Sequence, residues 1–179
     1  TTSPEKVWSL NCGSATSNVQ CLDKINPDVF EGQNRTPYVP SSQSSNYRSP
    51  VDVVGSILTD LVYVADETNN TIEVICNTSG ILVNELNTNQ KPNALLLSAD
   101  ARYLYVACGG ENGTVEIFNT TANLRLGEVS VGHTPSALAV NEDGTVLYVA
   151  NRFDGTVQTI ALNGGIFDSN AIAGEEIYV

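Results

Sequence analysis

The side chains of this chain with most chemistry to offer are one histidine, twenty acidic residues and four cysteines. His133 lies in the polar connector Gly132-His133-Thr134-Pro135, between two apolar runs. An imidazole exchanges protons near neutral pH, so a lone histidine on a loop can serve as a general base. Its plainer role is a polar connector, which the sequence favours because no second histidine or cysteine stands near it. One histidine cannot build a His-rich zinc or copper centre, although carboxylate-only sites stay open.

The carboxylates recur at related places. Asp66 and Glu67 begin one turn, Glu111 lies in its equivalent, and Asp154 lies in a third. Asp60, Asp100 and the pair Glu142-Asp143 form a second series. An aspartate before a small residue caps a hairpin through its own backbone, so structure explains this series better than catalysis. Calcium held near DETNN (66–70) or NRFDG (151–155) is the one cofactor this pattern allows; no EF-hand loop is present. G-x-S-x-G, P-loop, G-x-G-x-x-G and H-E-x-x-H are all missing. On these grounds no residue is assigned as catalytic, cofactor-binding or metal-ligating.

Cys12 and Cys21 are nine apart in a polar segment, where a disulfide would staple a loop with little core of its own. Cys76 ends one strand and Cys108 another, at opposite rims of neighbouring sheets, too far apart to pair. Five N-x-S/T sequons, at Asn34, Asn69, Asn77, Asn112 and Asn119, are candidates for N-linked glycans, four of them in predicted turns. With the cysteines they point to an extracellular or cell-surface setting. The chain has no Met, and its start, TTSPEK, reads as processed or internal. Net charge is −12, which disfavours nucleic acid and anionic membranes as partners, and the apolar runs are too short to span a bilayer.

These side chains are spaced by a phrase said three times. Pro50–Ala65 reads PVDVVGSILTDLVYVA, Pro92–Ala107 PNALLLSADARYLYVA and Pro135–Ala150 PSALAVNEDGTVLYVA, with the prolines 42 and 43 residues apart. Each copy predicts four short strands joined by tight turns, as in NALLLS, RYLYVA, TVEIF and LRLGEVSV of the second. The third copy lacks a clear fourth strand, which 171–179 (AIAGEEIYV) is expected to supply. The first and second strands are apolar on both faces, and no helical segment exists to cover them, so sheet must stack on sheet. Four strands per unit of ~40–45 residues, stacked radially, describe all-β propeller blades. Polar Glu73, Glu116 and Gln158 in the third strands predict a position near solvent.

The strings YVADETNNTIEV, YVACGGENGTVEI and YVANRFDGTVQT, with HTPSALAVNEDGTVLYVAN upstream, resemble the YVTN-family β-propeller repeat over residues 50–165. That resemblance implies a secreted or surface-layer propeller, and related propellers include lactonase-like enzymes. Copy one departs from the pattern at Gly55. The expected organisation is an N-terminal arm or divergent blade (1–49) and three blades (50–91, 92–134, 135–179). Three blades leave apolar faces open, so further blades or other subunits are the expected partners. First strands should line a central channel, and they offer Ala94, Leu96, Ala137 and Ala139 rather than charge. The expected function is therefore a non-catalytic, secreted or cell-surface glycoprotein of a layer, appendage or filament. The alternative is part of a lactonase-like propeller hydrolase.

Overall fold

The computed structural model describes residues 7–11, 21–25, 35–37, 48–56, 58–167, 173–174 and 177–178. Strands β1 (Val7–Asn11), β2 (Cys21–Ile25) and β3 (Arg35–Pro37) form an antiparallel sheet in that order. Three larger sheets follow, one per copy of the repeat. The first holds β4 (Pro50–Gly55), β5 (Leu61–Asp66), β6 (Thr71–Cys76) and β7 (Leu82–Asn87). The second holds β8 (Pro92–Leu97), β9 (Tyr103–Cys108), β10 (Thr114–Asn119) and β11 (Leu124–Ser130). The third holds β12 (Pro135–Val140), β13 (Val146–Asn151) and β14 (Thr156–Asn163), flanked by two short pieces, β15 (Ile166–Phe167) and β16 (Ile177–Tyr178). This is the all-β, repeated-blade architecture of a partial propeller. The fourth strand of the third blade is split: β15 pairs with Leu162–Asn163 and β16 with Thr156–Val157.

The innermost strands β4, β8 and β12 run side by side, and β1 lies beside β4. Each opens on the repeated proline, which has no N–H to give and so suits a strand's first residue. One residue later each strand bulges, with the register slipping between Pro50 and Asp52, Pro92 and Ala94, and Pro135 and Ala137. In blade two the slip frees Asn93, whose Nδ2 donates to Gly109 O at 2.7 Å and across to Pro135 O of the next blade at 3.0 Å.

The core sits between blades. Leu104, Val106 and Cys108 of β9 face blade one, packing on Tyr63, Ile72 and Val74. Tyr105, on the other face of β9, packs with Leu147, Val149 and Ile160 of blade three. Both faces of the middle sheet are therefore core, as the doubly apolar strands require. Each fully buried aliphatic or aromatic side chain contributes roughly 1.5–3 kcal/mol. The repeated tyrosine also ties blade to blade: Tyr63 bonds Thr120, and Tyr105 Oη donates to Gly165 O at 2.6 Å, with burial pushing its phenol up to about 12. The third tyrosine, Tyr148, is 38% exposed where Tyr63 and Tyr105 are 1% exposed. The outer face of blade three is thus open.

Candidate active site

Strand register puts Pro50, Asp66, Thr71 and Asn87 in one row, Pro92, Cys108, Thr114 and Ser130 in the next, and Pro135, Asn151 and Thr156 in the third. The loops crossing from blade to blade, and the turns between second and third strands, all lie at this end. Beneath each crossover loop is the polar residue of the third strand. These residues are buried, not near solvent as their polarity suggests: Glu116 is 0%, Glu73 3% and Gln158 9% exposed. The reason is that each secures the loop entering its own blade. In blade one Arg48 of the loop pairs with Glu73 and, at 2.9 Å, with Glu85. In blade two Asn89 N donates to Glu116 Oε1 at 2.8 Å while Arg125 Nε meets Oε2 at 3.0 Å. Burial nevertheless holds the Glu116 carboxyl above the usual carboxylate range, and pushes the neighbouring Cys108 thiol up as well. In blade three the same position is neutral: Gln158 Oε1 accepts from Gly132 N at 2.8 Å and from Asn151 Nδ2 at 2.9 Å.

The loop entering blade three carries His133, which meets the carboxylate of Asp154. His133 Nδ1 lies 2.6 Å from Asp154 Oδ1, and His133 N donates to Asp154 Oδ2 at 2.5 Å. The two bonds hold the Asp154 carboxyl below the usual carboxylate range. Asp154 sits in the turn between β13 and β14, and sheet geometry brings that turn under the crossover loop. The His133 side chain is half exposed, and Phe153, itself open to solvent, stands edge-on to it at 5.9 Å. A carboxylate that takes Nδ1–H leaves Nε2 lone-paired toward solvent, which is the arrangement of an oriented general base. Sequence reasoning named His133 and Asp154 separately, 21 residues apart, and weighed both toward structure; only the blade register shows them as a pair.

The other carboxylates do different work. Asp100, in the turn between β8 and β9, accepts from Ser98 Oγ at 2.7 Å and Arg102 N at 3.1 Å, which lowers it to about 2. Asp60 accepts from Thr78 N and Cys76 Sγ and is lowered too. In blade three Asn141 takes the capping role, accepting from Thr145 N and Val146 N at 2.9 Å, and leaves Glu142 and Asp143 at the rim of an open cavity of about 340 Å³. Asp52, which sequence reading passed over among the innermost strands, is a brace: its Oδ2 accepts from Leu95 N across the blade boundary at 2.7 Å. Ala137 and Ala139 of β12 are exposed, and Ala94 is buried.

Among the described residues no group of three or more His, Cys, Asp or Glu side chains is placed to hold a metal ion. Cys76 and Cys108 are free thiols; Cys21 opens β2, while Cys12, its expected disulfide partner, and Asn34 lie outside the described residues. Asn69 Nδ2 donates to the buried Asp66 carboxylate at 2.6 Å, and Asn119 Oδ1 caps Thr121 N and Ala122 N. Asn112 is exposed in the turn between β9 and β10, and Asn77 follows β6, its N–H on Asp60 O. No helix among the described residues is long and apolar enough to cross a membrane.

Residues 77–171, more than half of the chain, match the family model described as lactonase, 7-bladed beta-propeller. No curated protein matches the chain. Among solved structures, a proposed 6-phosphogluconolactonase of Bacteroides uniformis superposes with a TM-score of 0.66 at 15% identity, over 87% of this chain and 49% of that one. A proposed 6-phosphogluconolactonase of Bacteroides fragilis gives 0.64 at 17%, over 88% and 49%. Hydrazine synthase of Kuenenia stuttgartiensis gives 0.65 at 16%, over 79% and 39%. The chain thus spans half or less of the length of the structures it resembles, and at these identities they speak for the fold. The family match overturns the expectation of a non-catalytic module of a surface layer, appendage or filament, and among the described residues no disulfide bond is found. The blade framework is shared by structural and enzymatic propellers, so repetition alone pointed the wrong way; the discriminating groups stand in the loops that do not repeat. The chain belongs to the lactonase family of seven-bladed β-propellers.

Proposed function

We propose that this chain carries a hydrolytic site of a lactone-opening propeller, with His133 as general base and Asp154 orienting it. The blades are read as YVTN-type repeats within that family, supported by the YVAD, YVAC and YVAN segments at one register. The observation that carries the function is the His133 Nδ1···Asp154 Oδ1 contact of 2.6 Å on an otherwise exposed ring. His133 Nε2 takes a proton from water as its oxygen attacks the lactone carbonyl. The tetrahedral intermediate then expels the ring oxygen, which takes that proton back from the imidazolium, giving the open hydroxy acid. Asp154 supports the imidazolium formed between the two steps. Arg152 in the same turn and Lys91 in the preceding crossover loop place cations at this end of a chain of net charge −12, which suits an acidic or phosphorylated sugar lactone.

Hydrolysis of 6-phosphogluconolactone and of gluconolactone, followed by acid release, tests the reading. His133→Asn is expected to lower kcat by about 100-fold or more with little change in KM, and Asp154→Asn by a similar factor. Turnover by His133→Asn equal to that of the unmodified chain would refute it.

A further inference from the structure

We infer that Gln158, with Asn151 behind it, is the positioning residue of the His133–Asp154 pair, and that blade three keeps this position neutral for that purpose. The inference rests on the functional reading above. His133 stands on a short connector, Val131–Thr134, that is in neither strand nor helix. Every N–H of that connector is nonetheless paired. Val131 N donates to Gly113 O at 2.9 Å and Thr134 N to Gly110 O at 2.7 Å, both toward blade two. His133 N donates to Asp154 itself, and Gly132 N to Gln158 Oε1 at 2.8 Å. Among these anchors Gln158 is the side chain that holds the connector to blade three without belonging to the pair.

Its aim is fixed from behind. Asn151 Nδ2 donates to Gln158 Oε1 at 2.9 Å and to Thr156 Oγ1 at 3.3 Å, and Asn151 is 1% exposed. Gly132 completes the fit: a Cβ there would stand 2.5 Å from Asp154 Oδ2 and 2.7 Å from Asn151 Nδ2. Backbone, carboxylate and amide are therefore packed without slack beside the imidazole.

Comparison of the blades shows what is particular to the third. The latch is Asp66, Glu73 and Arg48 in the first blade, and Cys108, Glu116 and Arg125 in the second, a carboxylate answered by an arginine in each case. In the third it is Asn151 and Gln158, two amides joined by one hydrogen bond from Asn151 Nδ2 to Gln158 Oε1. Gly132 N and His133 N are consecutive, so a glutamate at 158 would put a second negative charge beside Asp154. Two amides keep the N–H acceptor and leave Asp154 to act on the imidazole.

The chain's one histidine makes the test direct, because its ring nitrogens give a single set of signals. Long-range ¹H–¹⁵N spectra of the full chain, at a pH where the ring is neutral, report which nitrogen bears the proton. The expected ring is Nδ1–H in the unmodified protein. Gln158→Leu, which fills the space but accepts no bond, should turn it into a tautomer mixture and lower kcat about tenfold with KM little changed. Gln158→Glu keeps an acceptor for Gly132 N but adds a charge beside Asp154, so it should hold the connector while still lowering kcat, and it remains informative should the leucine variant fold poorly; turnover equal to that of the unmodified chain would overturn the claim that the position is kept neutral for the pair. Asp154→Asn should abolish the Nδ1–H preference. An unchanged tautomer in Gln158→Leu, alongside a changed one in Asp154→Asn, would overturn the positioning role while leaving the base intact. No change in Asp154→Asn would instead overturn the base itself.

Discussion

Three tyrosines at one register form a built-in comparison of buried and open blade faces. Tyr63, Tyr105 and Tyr148 each pair with the middle of their innermost strand, opposite Val54, Leu96 and Ala139. The first two are 1% exposed and hydrogen-bonded to the next blade; the third is 38% exposed. Truncating a fully buried aromatic to alanine removes its transfer energy and leaves a cavity, together about 3–5 kcal/mol. Tyr63→Ala and Tyr105→Ala should each lose that much. Tyr148→Ala, without a facing sheet to leave a hole in, should lose about 1 kcal/mol. The phenylalanine series isolates the hydroxyl: Tyr105→Phe gives up the 2.6 Å bond to Gly165 O and should cost about 1 kcal/mol, and Tyr148→Phe close to nothing. Thermal unfolding is sensitive enough, since roughly 2–4 °C accompanies each kcal/mol in a chain of this size. An equal loss at Tyr105 and Tyr148 would refute the assignment of blade three's outer face as open.

Two further outcomes follow from the latches and glycines. Burial raises the folded-state pKa of Glu116 above the ordinary carboxylate value, so its contribution to stability is fully present below that ordinary value and is lost as pH rises through the folded one. Glu116→Gln should remove that loss, seen as a flatter urea midpoint between mildly acidic and neutral pH, whereas Glu116→Leu should cost about 2–3 kcal/mol by orphaning Asn89 N and Arg125. Gly132→Ala should lower lactone turnover at least tenfold, because its Cβ would lie 2.5 Å from Asp154 Oδ2; Gly144→Ala, at φ +68° with open space around it, should cost about 1 kcal/mol of stability and leave turnover alone.

The blades were legible because their signals are local. A proline opening each innermost strand, doubly apolar second strands and Gly- or Asx-rich turns each dictate backbone within a few residues, and β4 to β14 fall where those signals lie. The fourth strand of the third blade was not, since β15 and β16 are two residues each and take their place from β14 rather than from their own pattern. Glu73, Glu116 and Gln158 misled for a related reason. Polarity in a strand reads as nearness to water, but their partners are crossover loops 25 to 27 residues earlier in the chain, and a carboxylate satisfied by an arginine or a backbone N–H can be buried at little net cost. His133 and Asp154 were each visible as residues, and the pair was not, because its geometry depends on the register of β12, β13 and β14, which brings the β13–β14 turn beneath the loop that enters the blade.

The division of labour between repeat and variation explains why the site resisted reading. Everything that recurs in this chain serves the frame: the prolines, the tyrosines and the polar residue under each crossover loop. The copies differ, by contrast, at the last residue of the YVA-x segment, which holds one structural position in all three blades. Asp66 accepts from the Ser49 N–H of its entry loop, Cys108 is a buried thiol, and Asn151 is an amide. Each has the partner its charge demands, with Arg48 near Asp66 and Gln158 against Asn151. Only in the third blade are this residue and the third-strand residue beneath the crossover loop both amides, and it is on that loop that the imidazole stands. A blade frame that tolerates three chemistries at one buried position can alter a catalytic neighbour without altering the fold, and a residue whose role is to support a base will look, in sequence, like one more substitution in a repeat.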